Sequence, residues 1–210
     1  MTGAGDRLSA ALAGRYRIER ELGAGGRATD VSAGNPEFTP DDKSIVFARG
    51  GDIYLASIDG DSAVHSIATG PANENVPSVS PDGRWLLYTS NESGRGEAYV
   101  RPFPDTTARR HKLSEGGARF PRWSRDVREA FFVGDRDDLM VVAVRAGAEF
   151  GFDVPRTLFE AGAYAASAFD VDSDGQRFLM SRAAGSVGER LDDLIVVQGV
   201  FAELKARTPR

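Results

Sequence analysis

Six residues near the C-terminal end, Asp170-Val171-Asp172-Ser173-Asp174-Gly175, read D-x-D-x-D-G. Alternating carboxylates followed by glycine open a calcium-binding loop, in which hard oxygen donors wrap the ion and the glycine makes the sharp bend. Such a loop needs a bidentate glutamate at its twelfth place, and Ser181 stands there. Asp170, Asp172 and Asp174 are thus an incomplete metal set. His65 and His111 are the only imidazoles, and neither has metal-ligand spacing such as H-E-x-x-H. Ser186 lies among small residues in Ala184-Gly185-Ser186-Val187-Gly188. A nucleophilic serine needs a sharp strand-to-helix elbow and a base within reach, whereas the pattern around Ser186 predicts a hairpin between strands. No catalytic residue and no cofactor is assigned on these groups.

The remaining carboxylates, among them Asp59, Asp61, Asp135, Asp137, Asp138, Asp192 and Asp193, fall in turn-like stretches, where short acidic side chains serve backbone geometry and solubility. The net charge of −5 argues against a nucleic-acid binder, which carries a basic face. The basic residues Arg101, Arg109, Arg110 and Lys112 are offset by nearby acids. With no cysteine in 210 residues, disulfides and thiolate metal sites are excluded. The apolar run Leu139 to Val144 is far short of the ~20 residues of a membrane helix. Met1 to Gly14 has no signal-peptide core. The expectation as written is a soluble, cytoplasmic chain.

The elements that hold these residues repeat. A turn signal recurs as Thr39-Pro40-Asp41-Asp42, Ser80-Pro81-Asp82-Gly83, Ser124-Arg125-Asp126-Val127 and Asp172-Ser173-Asp174-Gly175, at spacings of 41, 44 and 48 residues. Proline presets φ for a turn's first central residue, and glycine supplies φ > 0. An apolar stretch follows each signal: Ile45-Val46-Phe47, Trp85-Leu86-Leu87-Tyr88, Ala130-Phe131-Phe132-Val133 and Phe178-Leu179-Met180. Beyond a second turn lies another strand, beginning at Asp52, Glu97, Asp138 and Asp193. Val76-Pro77 and Phe120-Pro121 lead into the middle two signals. A period in the forties with several short strands per unit is the signature of propeller blades. In that register Asp174-Gly175 takes the place of Asp82-Gly83, so the calcium-like run reads as a blade turn.

The best-preserved unit, S-P-D-G-R-W-L-L-Y-T-S followed by E-A-Y-V-R (Ser80 to Arg101), resembles the WD40-like, TolB-type propeller repeat. The resemblance covers about residues 36 to 198. It implies an all-β fold: a partial or small β-propeller of about four blades of short antiparallel strands. Four blades predict either a closed disc or an open arc, and the arc is preferred. An arc would permit self-association through open blade edges.

Residues 1 to about 33 differ. Arg15-Tyr16-Arg17-Ile18-Glu19-Arg20-Glu21-Leu22-Gly23-Ala24-Gly25-Gly26-Arg27-Ala28-Thr29 resembles the opening of bacterial eukaryotic-like Ser/Thr protein kinases. The resemblance implies a glycine-rich loop at Gly23, Gly25 and Gly26, whose backbone would approach ATP phosphates. It stops at Thr29. No V-A-I-K lysine, H-R-D, D-F-G or A-P-E motif follows, and phosphoryl transfer needs these groups together. The order of parts resembles a bacterial arrangement in which a kinase precedes a propeller.

Residues Val200 to Arg207 predict a short amphipathic helix, with Val200, Phe201 and Leu204 on one side. The expected organisation is an irregular or helical kinase-like remnant over 1–33, propeller blades over 34–199 and a helical tail over 200–210. The expected function is a non-enzymatic binding or scaffold module for a protein or small ligand, the sensor or interaction part of a truncated kinase–propeller chain. The alternatives are an inactive kinase by descent and a propeller lyase or glycosidase, which would need paired acids or histidines at the channel.

Overall fold

A computed structural model of the chain describes residues 34–58, 64–105, 107, 109–147, 149–162, 164, 169–181 and 194–198. Within them, four antiparallel sheets follow one another along the sequence. Blade 1 is β1 (Gly34–Phe38), β2 (Ser44–Arg49), β3 (Asp52–Ser57) and β4 (Val64–Ala68). Blade 2 is β5 (Glu74–Val79), β6 (Trp85–Ser90), β7 (Glu97–Pro102) and β8 (His111–Lys112). Blade 3 is β9 (Arg119–Trp123), β10 (Glu129–Val133), β11 (Asp138–Ala146), β12 (Phe150–Phe152) and β13 (Arg156–Glu160). Blade 4 is β14 (Phe169–Val171), β15 (Arg177–Ser181) and β16 (Leu194–Gln198). Blades 1 and 2 are meanders in chain order, and in blade 3 both β12 and β13 pair with β11. The first strands of the blades lie side by side, β1 on β5, β5 on β9 and β9 on β14.

Alternation along the strands explains how the blades stack, because successive side chains point to opposite faces. In blades 2 and 3 one face of the sheet meets the preceding blade and the other meets the following blade. Val46 and Ile53 of blade 1 pack on Val79, Leu86, Tyr88 and Tyr99 of blade 2. Trp85, Leu87, Ala98 and Val100 on the other face of blade 2 pack on Trp123, Ala130, Phe132 and Val142 of blade 3. Phe131, Val133, Leu139 and Val141 of blade 3 pack on Phe169, Phe178 and Met180 of blade 4. Each core is a sheet-to-sheet sandwich of aliphatic and aromatic groups, and burying each large side chain contributes about 1.5–3 kcal/mol.

The architecture of the described residues is all-β, as expected. One strand differs from expectation. The run from Asp138 extends to Ala146 and turns back as β12, an added hairpin. Phe150 on that hairpin packs against Trp85 at 4.8 Å between ring centroids, which binds blade 3 across the face of blade 2. Among the described residues, no helix is long and apolar enough to cross a membrane. The expected helix over 200–210 and the leader over 1–33 lie outside the described residues.

Candidate functional site

The four turn signals fold into one hydrogen-bond circuit. The first residue offers a side-chain oxygen to the N–H five residues on: Thr39 to Ser44 (3.0 Å), Ser80 to Trp85 (2.9 Å), Ser124 to Glu129 (2.9 Å) and Asp172 to Arg177 (3.2 Å). The third residue is always aspartate and accepts from the N–H two residues on, at 3.2, 3.2, 3.0 and 2.9 Å for Asp41, Asp82, Asp126 and Asp174. The fourth residue donates its N–H to the first residue's carbonyl and has positive φ: Asp42 57°, Gly83 70°, Val127 59° and Gly175 70°. Glycine occupies this place at no steric cost. Asp42 tolerates it, and Val127, being β-branched, is strained by it.

The calcium-like run lies within the fourth of these circuits. Asp172 takes two turn N–H groups and the Arg177 guanidinium (Nε–Oδ2 2.5 Å), Asp174 takes the Gln176 N–H, and Asp170 takes the N–H of Val171 at 2.9 Å. Partial burial opposes the Asp172 charge, but the hydrogen bonds from Arg177 and its neighbours outweigh it and hold the carboxyl at about 2. Among the described residues no three acidic or histidine side chains gather as a metal set. Asp135 and Asp137 flank the β10–β11 turn and pair with Arg95 (3.3 Å) and Arg119. His65 lies exposed on β4. His111 lies on β8 against the rings of Phe150 (5.3 Å) and Phe152 (6.2 Å). Burial, with help from Arg109, pushes its imidazole below the usual range. Gly23, Gly25, Gly26, Ser186, Asp59, Asp61, Asp192 and Asp193 lie outside the described residues.

The turns bring four blades to one hollow of about 530 Å³, lined by Pro40, Pro81, Trp123, Arg125, Val171, Asp172 and Ser173. Behind it, the inner strands set equivalent residues in register. Two places before each turn stand Glu37, Ser78, Arg122 and Asp170. The Glu37 carboxylate accepts from the Val79 N–H (3.0 Å) and the Ser78 hydroxyl (3.3 Å). Burial pushes the Glu37 carboxyl up, and the Val79 N–H, Arg122 and Ser78 pull against that shift while Asp170 adds to it. Asn35 donates to Asn75 at 2.9 Å from blade 1 to blade 2. The arrangement offers donors, acceptors and both signs of charge around one axis. It does not place a nucleophile beside a base.

A feature that sequence reading missed lies in the same strands. Asn35, Val76 and Phe120, each four places before its turn and each followed by proline, have φ of 50°, 48° and 52°. Each strand slips register there against its neighbour. Bulges and prolines blunt a strand edge against pairing with another chain, and these inner strands are the edges that border the axis. The constant offset of Pro36, Pro77 and Pro121 from the turns was the available signal.

Successive antiparallel blades packed through alternate faces, with their first strands around one axis, define a β-propeller array, and the fold is TolB-like. No protein-family model matches the chain. It is 34% identical over 109 residues to "Tol-Pal system protein TolB" of Xylella fastidiosa (strain M12), a match covering 47% of this chain and 25% of that protein. To the protein of the same name from Hydrogenovibrio crunogenus it is 30% identical over 91 residues, covering 42% of this chain and 21% of that protein. The matches thus span a quarter or less of these curated relatives. Among solved structures, TolB from Acinetobacter baumannii superposes with a TM-score of 0.57 at 18% identity, covering 81% of this chain and 44% of that one. At that identity the likeness is one of fold.

Proposed function

We propose that the chain is a non-enzymatic β-propeller module that binds a protein segment at its axial mouth. The observation that carries this reading is the hollow lined by residues of all four blades, the kind of multi-element concavity in which ligands bind. The turn aspartates beside it are occupied by their own backbone, which leaves them poorly placed for proton transfer. The relatives' name, a Tol-Pal system protein, supports a partner that is itself a protein. The same reading divides the chain into a leader over 1–33, blades over 34–199 and a tail over 200–210.

The test uses a random peptide library displayed on phage, selected on the full chain. Binders are expected, and Arg125→Glu, which reverses the charge of an exposed mouth residue, is expected to weaken them at least about tenfold, or 1.4 kcal/mol. Binders indifferent to Arg125→Glu and to Ser173→Arg would overturn the mouth as the site. The kinase alternative is tested by titration with Mg-ATP: binding abolished by substitution of Gly23, Gly25 and Gly26 would replace the non-enzymatic reading.

A further inference from the structure

The second place of every blade turn lines the axial hollow. Pro40, Pro81, Arg125 and Ser173 stand there, one from each blade, and all four are exposed. The repeat thus builds a ring whose two halves differ in chemistry. Blades 1 and 2 contribute pyrrolidine rings, which have no N–H to donate. Blades 3 and 4 contribute a guanidinium and a hydroxyl. Neither of these two side chains makes a hydrogen bond or ion pair to another described residue.

The acceptors around the ring are already engaged. Asp41, Asp82, Asp126 and Asp174 each take the N–H two residues on. Asp82 and Asp126 also face Arg84 (2.8 Å) and Arg128 (3.8 Å). Asp172, the carboxylate that lines the hollow, holds two turn N–H groups and the Arg177 guanidinium. Deeper along the inner strands, Arg122 offsets Glu37, and Asp170 gives one oxygen to the Val171 N–H. What stays open at the mouth is donor capacity on one half of the ring and apolar surface on the other.

We infer that the mouth selects an acidic protein segment, whose aspartate or glutamate side chain is held by Arg125 and Ser173 while an apolar neighbour lies against Pro40 and Pro81. The inference rests on the axial reading above and adds the partner's charge to it. A guanidinium matches a carboxylate with two parallel charge-assisted hydrogen bonds, and the hydroxyl supplies a further donor. The chain as a whole carries −5. An acidic segment is therefore repelled by most of the surface and attracted at Arg125, which favours docking at this one place.

The test selects the random peptide library in parallel on the full wild-type chain and on Arg125→Glu. Arg125 is exposed, so the variant is expected to keep the wild-type far-UV circular dichroism. The wild-type pool is expected to be enriched in Asp and Glu, and the Arg125→Glu pool in Lys and Arg. The most enriched wild-type binder is then synthesised with its acidic residue changed to the amide. That change is expected to weaken binding to wild type at least about tenfold, and to Arg125→Gln at most about twofold, because the two groups act as a pair. Binders that need Arg125 or Ser173 but are neutral or basic would overturn the acidic selection and leave the axial reading standing. So would an equal loss on wild type and Arg125→Gln, or two pools of the same composition. A library that yields no binder sensitive to Arg125→Glu or to Ser173→Arg would overturn both.

Discussion

Replacing Glu97 by alanine should loosen the joint between blades 2 and 3 more than any substitution at the surface. Glu97 begins β7, and its carboxylate is 1% exposed. It accepts from the Ser114 hydroxyl, the Gly117 N–H (3.1 Å) and Arg95 Nε (2.9 Å), with Lys112 Nζ at 3.9 Å. Ser114 and Gly117 lie in the segment that leads into β9, so the carboxylate ties the end of one blade to the start of the next. Alanine removes the acceptor and leaves two buried donors unpaired, each costing about 1–3 kcal/mol. Arg95 is half-exposed and keeps its contact with Asp135, so its share is small. The sum spans about 2–6 kcal/mol with its middle at about 3–4 kcal/mol, a large part of the ~5–15 kcal/mol that holds a domain together. Glu97→Gln keeps the volume and one acceptor oxygen and should lose about half as much. Urea unfolding followed by circular dichroism reads both: at a slope of about 2 kcal/mol/M, the alanine midpoint falls by about 1.5–2 M. A Glu97→Ala midpoint within about 0.3 M of wild type would refute the reasoning, since it corresponds to less than ~1 kcal/mol.

Three further outcomes follow from the turns and the β8 surface. Asp42→Gly and Val127→Gly relieve the same positive φ, yet should act with opposite sign. Exposed Asp42 gains about 0.5 kcal/mol, whereas Val127 gives up its place in the blade 2–3 core and loses about 1 kcal/mol net; denaturant midpoints check both. The His111 imidazole is lowered by burial and Arg109, so the unfolded chain binds more protons than the folded one below the ordinary value. Its contribution is present above about pH 6.5 and is lost as pH falls below that value; His111→Gln should flatten this part of the Tm–pH curve, and an unchanged curve would contradict the assignment. Added calcium should leave Tm unchanged, because Asp172 and Asp174 are already occupied by turn donors; a Tm rise abolished by Asp170→Asn would restore the metal reading.

The parts of this fold that were legible in the sequence are those where backbone geometry dictates residue type. Pro81, Asp82 and Gly83 announce a turn because φ preset, side-chain acceptor and positive φ each select a residue. The same turn was recognisable in Ser124-Arg125-Asp126-Val127 only by spacing, because Val127 takes the left-handed conformation without suiting it. Val76 and Phe120 concealed their positive φ for the same reason. Glu97 gave no sign of burial, since an acid after Gly94-Arg95-Gly96 reads as one more solvated turn residue; the acids at the start of the equivalent strands, Asp52 and Asp138, were the clue. The Phe150–Phe152 hairpin was missed because β11 reads as one apolar run, and its bend is set by contact with Trp85, a residue of another blade. The hollow itself could not be read, because it is formed by residues separated by whole repeats.

Hydrogen exchange of the full chain, with and without a mouth-binding peptide selected from the library, is the most direct measurement of the central claim. The peptide should slow exchange together at residues 39–43, 80–84, 124–128 and 172–176, one turn from each of the four blades. Protection confined to a single blade, or found only away from these turns, would contradict it.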